Sequence, residues 1–287
     1  MHQHKRRPNS AAILSSCEFL RVHTKIEHQI KKLLNTPTGK NKLCKKGRQQ
    51  LKECESNKLY AINFRARIVL ATALHSQLSA LFKRYLDRQY YFHTLSPKRY
   101  AFPLSKAILF DFCVVERWAR KVLGTLDYIA CIEAGLYTNC GVEAMQVEPT
   151  VSIHVHAIVW VANANVVPAI VDRVNAKELS LYEGSEPAHK HHFSRETVLK
   201  RVYYSLKFPC KDYRLLRKTG FFTPKKRNIR PGDAVKMARV LTNRTMKELT
   251  FASGKGESIL RRATSNAVRR IKAEDDKLQK RLLALYS

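Results

Sequence analysis

His154 and His156 stand one valine apart in the run VSIHVHAIVW, residues 151–160. Val151, Ile153, Val155, Ile158, Val159 and Trp160 around them are the composition of a buried strand, and strand side chains at i and i+2 project from one face. A polar group buried there without a partner costs about 1–3 kcal/mol, so both imidazoles need something to bind. They either bond backbone or carboxylate groups as core histidines, or they ligate one metal ion, for which two neutral imidazoles on a rigid strand are already aimed. Two further His-x-His pairs, His2/His4 and His189/His191, lie in an N-terminal stretch and in the polar run EPAHKHH, which reads as a loop.

A carboxylate of similar character lies upstream. In DYIACIEAGLY (127–137), read as a strand, Glu133 interrupts an apolar run just before Gly135. It is either a salt-bridged residue at a strand end or a third ligand. Two imidazoles with one carboxylate and open positions suit Mg²⁺ or Mn²⁺. Glu148 is the rival ligand, but Pro149 follows it and places it in a loop.

Downstream, SRETVLKRVYYSLKF (194–208) has helical periodicity with an N-cap in Ser194–Thr197. One stripe of this helix holds Leu199, Val202, Tyr203 and Leu206, which makes Tyr203 a core residue. Another holds Lys200, Tyr204 and Lys207. A phenol between two ammonium groups is biased towards phenolate, a nucleophile towards phosphorus. An amphipathic tyrosine among snorkelling lysines is the structural alternative.

These residues need a scaffold. YYFHTLSP (90–97) reads as a strand, PLSKAILFDFCVVERWARKVLG (103–124) as one helix closed by Gly124, and 151–162 as a strand. NVVPAIVDRVNAKEL (165–179) reads as a helix, and TNCGVEAMQVEPT as a loop. The expected fold is α+β, helices on a sheet. Charge divides the chain. Residues 1–85 carry 18 Lys/Arg against 4 Asp/Glu, residues 217–287 carry 19 against 6, and residues 86–216 carry 16 against 13. A net charge of +30 repels itself unless a polyanion is the usual neighbour, and both flanks suggest phosphate contacts. The division predicts a basic, mostly helical extension (1–85), a near-neutral core segment (86–216) and a basic helical DNA-binding extension (217–287). Seven cysteines without a CxxC pair, an N-terminal apolar stretch too short for a secretory signal and no run long enough to span a bilayer predict a cytoplasmic protein with no membrane partner. ASGKGESIL lacks the spacing of a phosphate-binding loop.

Taken together, the chain resembles the HUH endonucleases, the superfamily of rolling-circle replication initiators, relaxases and related transposases. His154-Val155-His156 matches their HUH motif, Tyr204-Ser205-Leu206-Lys207 their Tyr-x-x-Lys motif, and FHTLS (92–96) resembles their first motif, departing from it at His93 and Ser96. The resemblance covers roughly residues 90–215. It implies an antiparallel-sheet nuclease core of ferredoxin-like or RRM-like form, and a Mg²⁺ or Mn²⁺ ion on His154, His156 and Glu133. It also implies attack by Tyr204 to leave a 5′-phosphotyrosine and a free 3′-OH, with Lys207 assisting. Lys200, Lys211, Arg214, Lys225, Lys226 and Arg227 are the expected DNA contacts. The expected partners are origin DNA, single-stranded or in a cruciform, and the host replication machinery. A transposase, a relaxase or a non-enzymatic DNA-binding regulator with a structural histidine pair are the alternatives.

Overall fold

The computed structural model describes residues 15–53, 58–138, 148–218 and 221–286. Helices α1 (Ser16–Leu34), α2 (Lys45–Lys52) and α3 (Phe64–Phe82) precede strands β1 (Gln89–Leu95) and β2 (Ala101–Pro103). Helices α4 (Leu104–Leu109) and α5 (Cys113–Leu123) lead into β3 (Asp127–Thr138) and β4 (Thr150–Val161). Then come α6 (Val166–Lys177), β5 (Ala188–Phe193), α7 (Arg195–Leu206), β6 (Lys211–Lys218) and β7 (Phe221–Asn228). The chain ends with α8 (Pro231–Leu241), α9 (Met246–Leu249), β8 (Thr250–Ser253) and α10 (Lys255–Tyr286).

The strands form one sheet in the order β5-β1-β4-β3-β6-β7, with β2 also on β4 and β8 also on β3. β4 is the centre. Its β-branched residues suit a pleated surface covered on both sides, and every position from Val151 to Val161 is buried. α3 and α7 cover the face that carries the histidines: Phe82 packs on Tyr90 and Trp160, and Tyr204 on Phe92 and His156. α4, α5 and α6 pack on β4 and β5.

The α+β expectation holds, but the sheet is mixed rather than purely antiparallel. β6 runs parallel to β3 through Leu136–Thr138, because the chain returns to the sheet through helix α7 and not through a hairpin. Three other expectations are corrected. The helix over 103–124 is two helices, broken at Phe110–Phe112, where the Asp111 carboxylate accepts from the Cys113 amide at 2.9 Å. His189 and His191 lie in the edge strand β5, where backbone pairing to β1 needs no apolar side chains. The segment 217–287 is not wholly helical, since it supplies β7 and β8, and a boundary at 216/217 would fall inside β6. Residues from 1–85, 86–216 and 217–287 share one hydrophobic core, which includes Phe19, Phe64, Trp160, Met237 and Ile271. His2, His4 and most of TNCGVEAMQVEPT lie outside the described residues. Among the described residues no helix is long and apolar enough to cross a membrane.

Candidate metal centre and tyrosine

Sheet register assembles the ligands. Glu133 on β3 lies directly opposite His154 on β4, and Thr94 on β1 lies opposite His156 on the other side. In antiparallel strands such partners share a face. Glu133, His154 and His156 therefore converge, with one ligand atom from each lying within 4.8 Å of the others, and all three residues are buried. Glu133 Oε2 lies 3.0 Å from His156 Nε2 and 3.8 Å from His154 Nε2. A Cβ at residue 135 would meet His154 Cε1 at 3.3 Å, so Gly135 leaves that ring its place.

The outer nitrogens are fixed. His154 Nδ1 donates to the Ser152 carbonyl at 3.2 Å, and His156 Nδ1 pairs with Thr94 Oγ1 at 3.0 Å. This directs both Nε2 atoms towards Glu133, as supporting bonds do around metal-binding histidines. His156 Nε2 is buried and out of line for a hydrogen bond despite its 3.0 Å approach to the carboxylate. With its lone pair turned to the carboxylate, Nε2 would be satisfied by a cation between the two. Two nitrogens, one of them this orphaned atom, and one carboxylate oxygen fit a divalent metal. Burial holds His156 down at about 3 and lowers His154 also, so both imidazoles are neutral and competent as ligands. Burial alone would raise Glu133, but Lys207 and the histidines outweigh it and hold the carboxyl below its usual range. Glu148, the rival ligand, instead accepts from the amide and hydroxyl of Ser105 at 2.7 and 3.1 Å.

Tyr204 reaches the same cluster from α7, its ring 5.1 Å from that of His156. Tyr203 points elsewhere, packing against Phe19 and His75 as its apolar stripe predicts. Lys207 follows the last turn of α7 in extended backbone. Its ammonium is ion-paired with Glu133 and stands 3.7 Å from the centre of the Tyr204 ring. The expected phenolate bias is not what results. Lys207 pulls the Tyr204 phenol down, but burial and Glu133 push it up, and the net shift is upward. Lys200 is exposed and adds nothing to this balance. Tyr213 also comes close to Tyr204, and stacks on Tyr137 at 4.8 Å.

The segment carrying Lys207 rests on two residues that the sequence reading missed. Arg67 of α3, 3% exposed, donates to the carbonyls of Ala61, Leu206 and Lys207 at 2.6, 2.9 and 3.1 Å. It thereby satisfies two carbonyls at the α7 C-terminus that the helix leaves open. His23 of α1, fully buried, accepts from the Phe208 amide at 2.9 Å and donates to the Phe19 carbonyl at 2.7 Å. Burial lowers it to about 3, which keeps Nε2 free to accept. Two polar residues set in apolar helical runs were the signal for both.

The expected DNA contacts separate by strand alternation. Lys211 and Lys226 share the hairpin face of Tyr213, while Arg214 and Lys225 are exposed on the reverse. Arg227 is committed to the buried Asp212, at 2.8 and 3.1 Å. Comparisons with known protein families, curated proteins and solved structures find no match, so the class of this protein rests on the site itself.

Proposed function

We propose that the protein is a metal-dependent single-strand DNA endonuclease and strand transferase of the HUH type, and that it initiates rolling-circle replication of a plasmid or phage. The observation that carries this reading is one buried cluster, Glu133, His154 and His156, with the Tyr204 ring against His156. Glu133, His154 and His156 would hold Mg²⁺ or Mn²⁺. When bound, such an ion supplies Lewis-acid polarisation of the scissile phosphate and a counter-charge for its oxygens.

Tyr204 Oη attacks the phosphorus and forms an O–P bond as the bond to the 3′ oxygen breaks. The products are a 5′-phosphotyrosine and a 3′-OH that takes up a proton. The Tyr204 phenol is shifted upward in the free protein, so its proton leaves to solvent at the step of attack, and solvent returns one to the departing 3′ oxygen. Lys207, over the ring, stabilises the oxygen's developing negative charge. The linkage conserves the bond energy, so a 3′-OH can later reverse the step without a nucleotide cofactor. Origin DNA and the host replication machinery are the partners this reading requires.

The test incubates the purified full chain with single-stranded oligonucleotides and Mn²⁺ or Mg²⁺. The expected result is a covalent adduct that maps to Tyr204 and is absent from Tyr204→Phe. No adduct with a pool of sequences, or an adduct retained in Tyr204→Phe, overturns the reading.

A further inference from the structure

A cleft of about 280 Å³ opens beside Tyr204, between α1 and the β6–β7 hairpin. Arg21 and Lys25 of α1 line one wall, Lys211 and Lys226 of the hairpin line the other, and Tyr204 and Lys207 close the inner end. Arg21 and Lys25 are exposed one turn apart, and none of the four outer cations pairs with a carboxylate among the described residues. Glu18 is the acidic residue of the lining, which leaves the four outer cations in excess over one carboxylate. Lys211 donates to Asn228 Oδ1 at 2.5 Å, which aligns it without neutralising it.

Four cations facing one another across a cleft with a single carboxylate raise the energy of the empty cleft, and a further anion lowers it. A guanidinium and three ammonium groups match phosphate oxygens. The size bears on the ligand as well. The cavity lies at the small end of ligand sites, about 300–1,000 Å³, with room for one nucleotide unit and no duplex. α1 cannot drift away from the cleft, because Phe19, Ile26 and Ile30 are buried beneath it and His23 is bonded to Phe208.

We infer that α1 is part of the substrate grip, and that this cleft takes the phosphodiester next to the one cut, on a single strand threaded between Arg21/Lys25 and Lys211/Lys226. The inference rests on the reading that Tyr204 attacks a DNA strand. It assigns the N-terminal helix, which the family resemblance does not cover, a direct contact with substrate and not a general charge effect.

The test measures binding of a fluorescein-labelled single-stranded oligonucleotide by anisotropy over a range of salt concentrations, with every protein carrying Tyr204→Phe to prevent cutting. Arg21→Gln/Lys25→Gln alters only exposed side chains. It is expected to weaken binding and to flatten log K against log salt by about 0.7, the share of one phosphate on a single strand. Arg21→Lys/Lys25→Arg should retain the parental slope. Arg117→Gln/Lys121→Gln, which removes two exposed charges from α5, should change the slope by less than half as much. An unchanged slope in the α1 variant, or an equal loss in the α5 variant, overturns the inference. If the α1 effect appears while the Tyr204 protein forms no adduct, the grip stands and the endonuclease reading falls.

Discussion

His154/His156 and His189/His191 are the same three-residue pattern on the same face of the same sheet. Thr94 of β1 lies between them, opposite His156 on one side and His189 on the other. Yet the first pair is a candidate metal centre and the second is not. β4 is flanked by β1 and β3, so a carboxylate from β3 faces its histidines and helix α7 covers them. β5 is an edge. His189 lies 3.2 Å from the exposed Glu186, close in sequence, and solvent reaches both side chains. Burial is what makes the partner matter, since in water neither imidazole needs one. The pattern gives two aimed nitrogens, while the position in the sheet decides whether they have anything to do.

The largest expected contrast comes from removing each pair. His154→Ala/His156→Ala should abolish adduct formation and Mn²⁺ binding by calorimetry, and His189→Ala/His191→Ala should leave both near parental values. Loss of Mn²⁺ binding in the edge variant would erase the distinction. Next, Glu133→Gln should weaken Mn²⁺ by more than 100-fold, beyond the roughly 10–100-fold typical of a lost supporting bond. Glu148→Gln should keep its bond to the Ser105 amide through the remaining carbonyl oxygen and leave Mn²⁺ affinity unchanged.

A third contrast lies in the segment that carries Lys207 to the central site, which Arg67 holds through the Leu206 and Lys207 carbonyls. Arg67→Met leaves the Leu206 and Lys207 carbonyls without a donor, and should lower stability in urea unfolding by about 2–3 kcal/mol. The smallest effect depends on pH. His23 and His156 are held at about 3, and His93 at about 4, by burial. Each pKa is lower in the folded chain than in the unfolded chain, so the unfolded chain binds more protons below about pH 6.5. Stability is therefore full above that pH and falls as the solution is acidified. Between pH 7 and 6 each histidine should cost about 0.5–1 kcal/mol, and His93→Gln should remove its share of the decline in urea titrations at the two pH values.

The sequence made the ligands legible because strand alternation is strict. Once 127–137 and 151–160 are strands, Glu133, His154 and His156 can share a face. Tyr203 and Tyr204 were separable for a similar reason, since helical stripes send neighbouring residues apart. What could not be read were relations between distant segments. The phenolate expected from Lys200 and Lys207 treated the helix as isolated, whereas Glu133 claims Lys207, and burial together with Glu133 outweighs its pull on the phenol. Basic composition suggested DNA-holding flanks, but charge reports the surface of a segment and says little about its core. Phe19, His23 and Arg67 therefore went unseen as the seat of α7. The edge strand β5 was invisible because its pairing is made by backbone alone.

The reach of Arg67 sets an order of events for the newly made chain. Its bonds to the Leu206 and Lys207 carbonyls span 139 and 140 positions, and β8 joins β3 from more than 100 residues downstream. Local helices can form while synthesis continues, but closures of such length come late, after the entropy of a long loop has been overcome. The three ligands emerge from the ribosome well before the tyrosine is seated beside them. A chain halted between β4 and α7 would hold the imidazoles and the carboxylate but not Tyr204. On the proposed reading, competence to cut DNA is thus deferred until the chain has been made through α7 and β8.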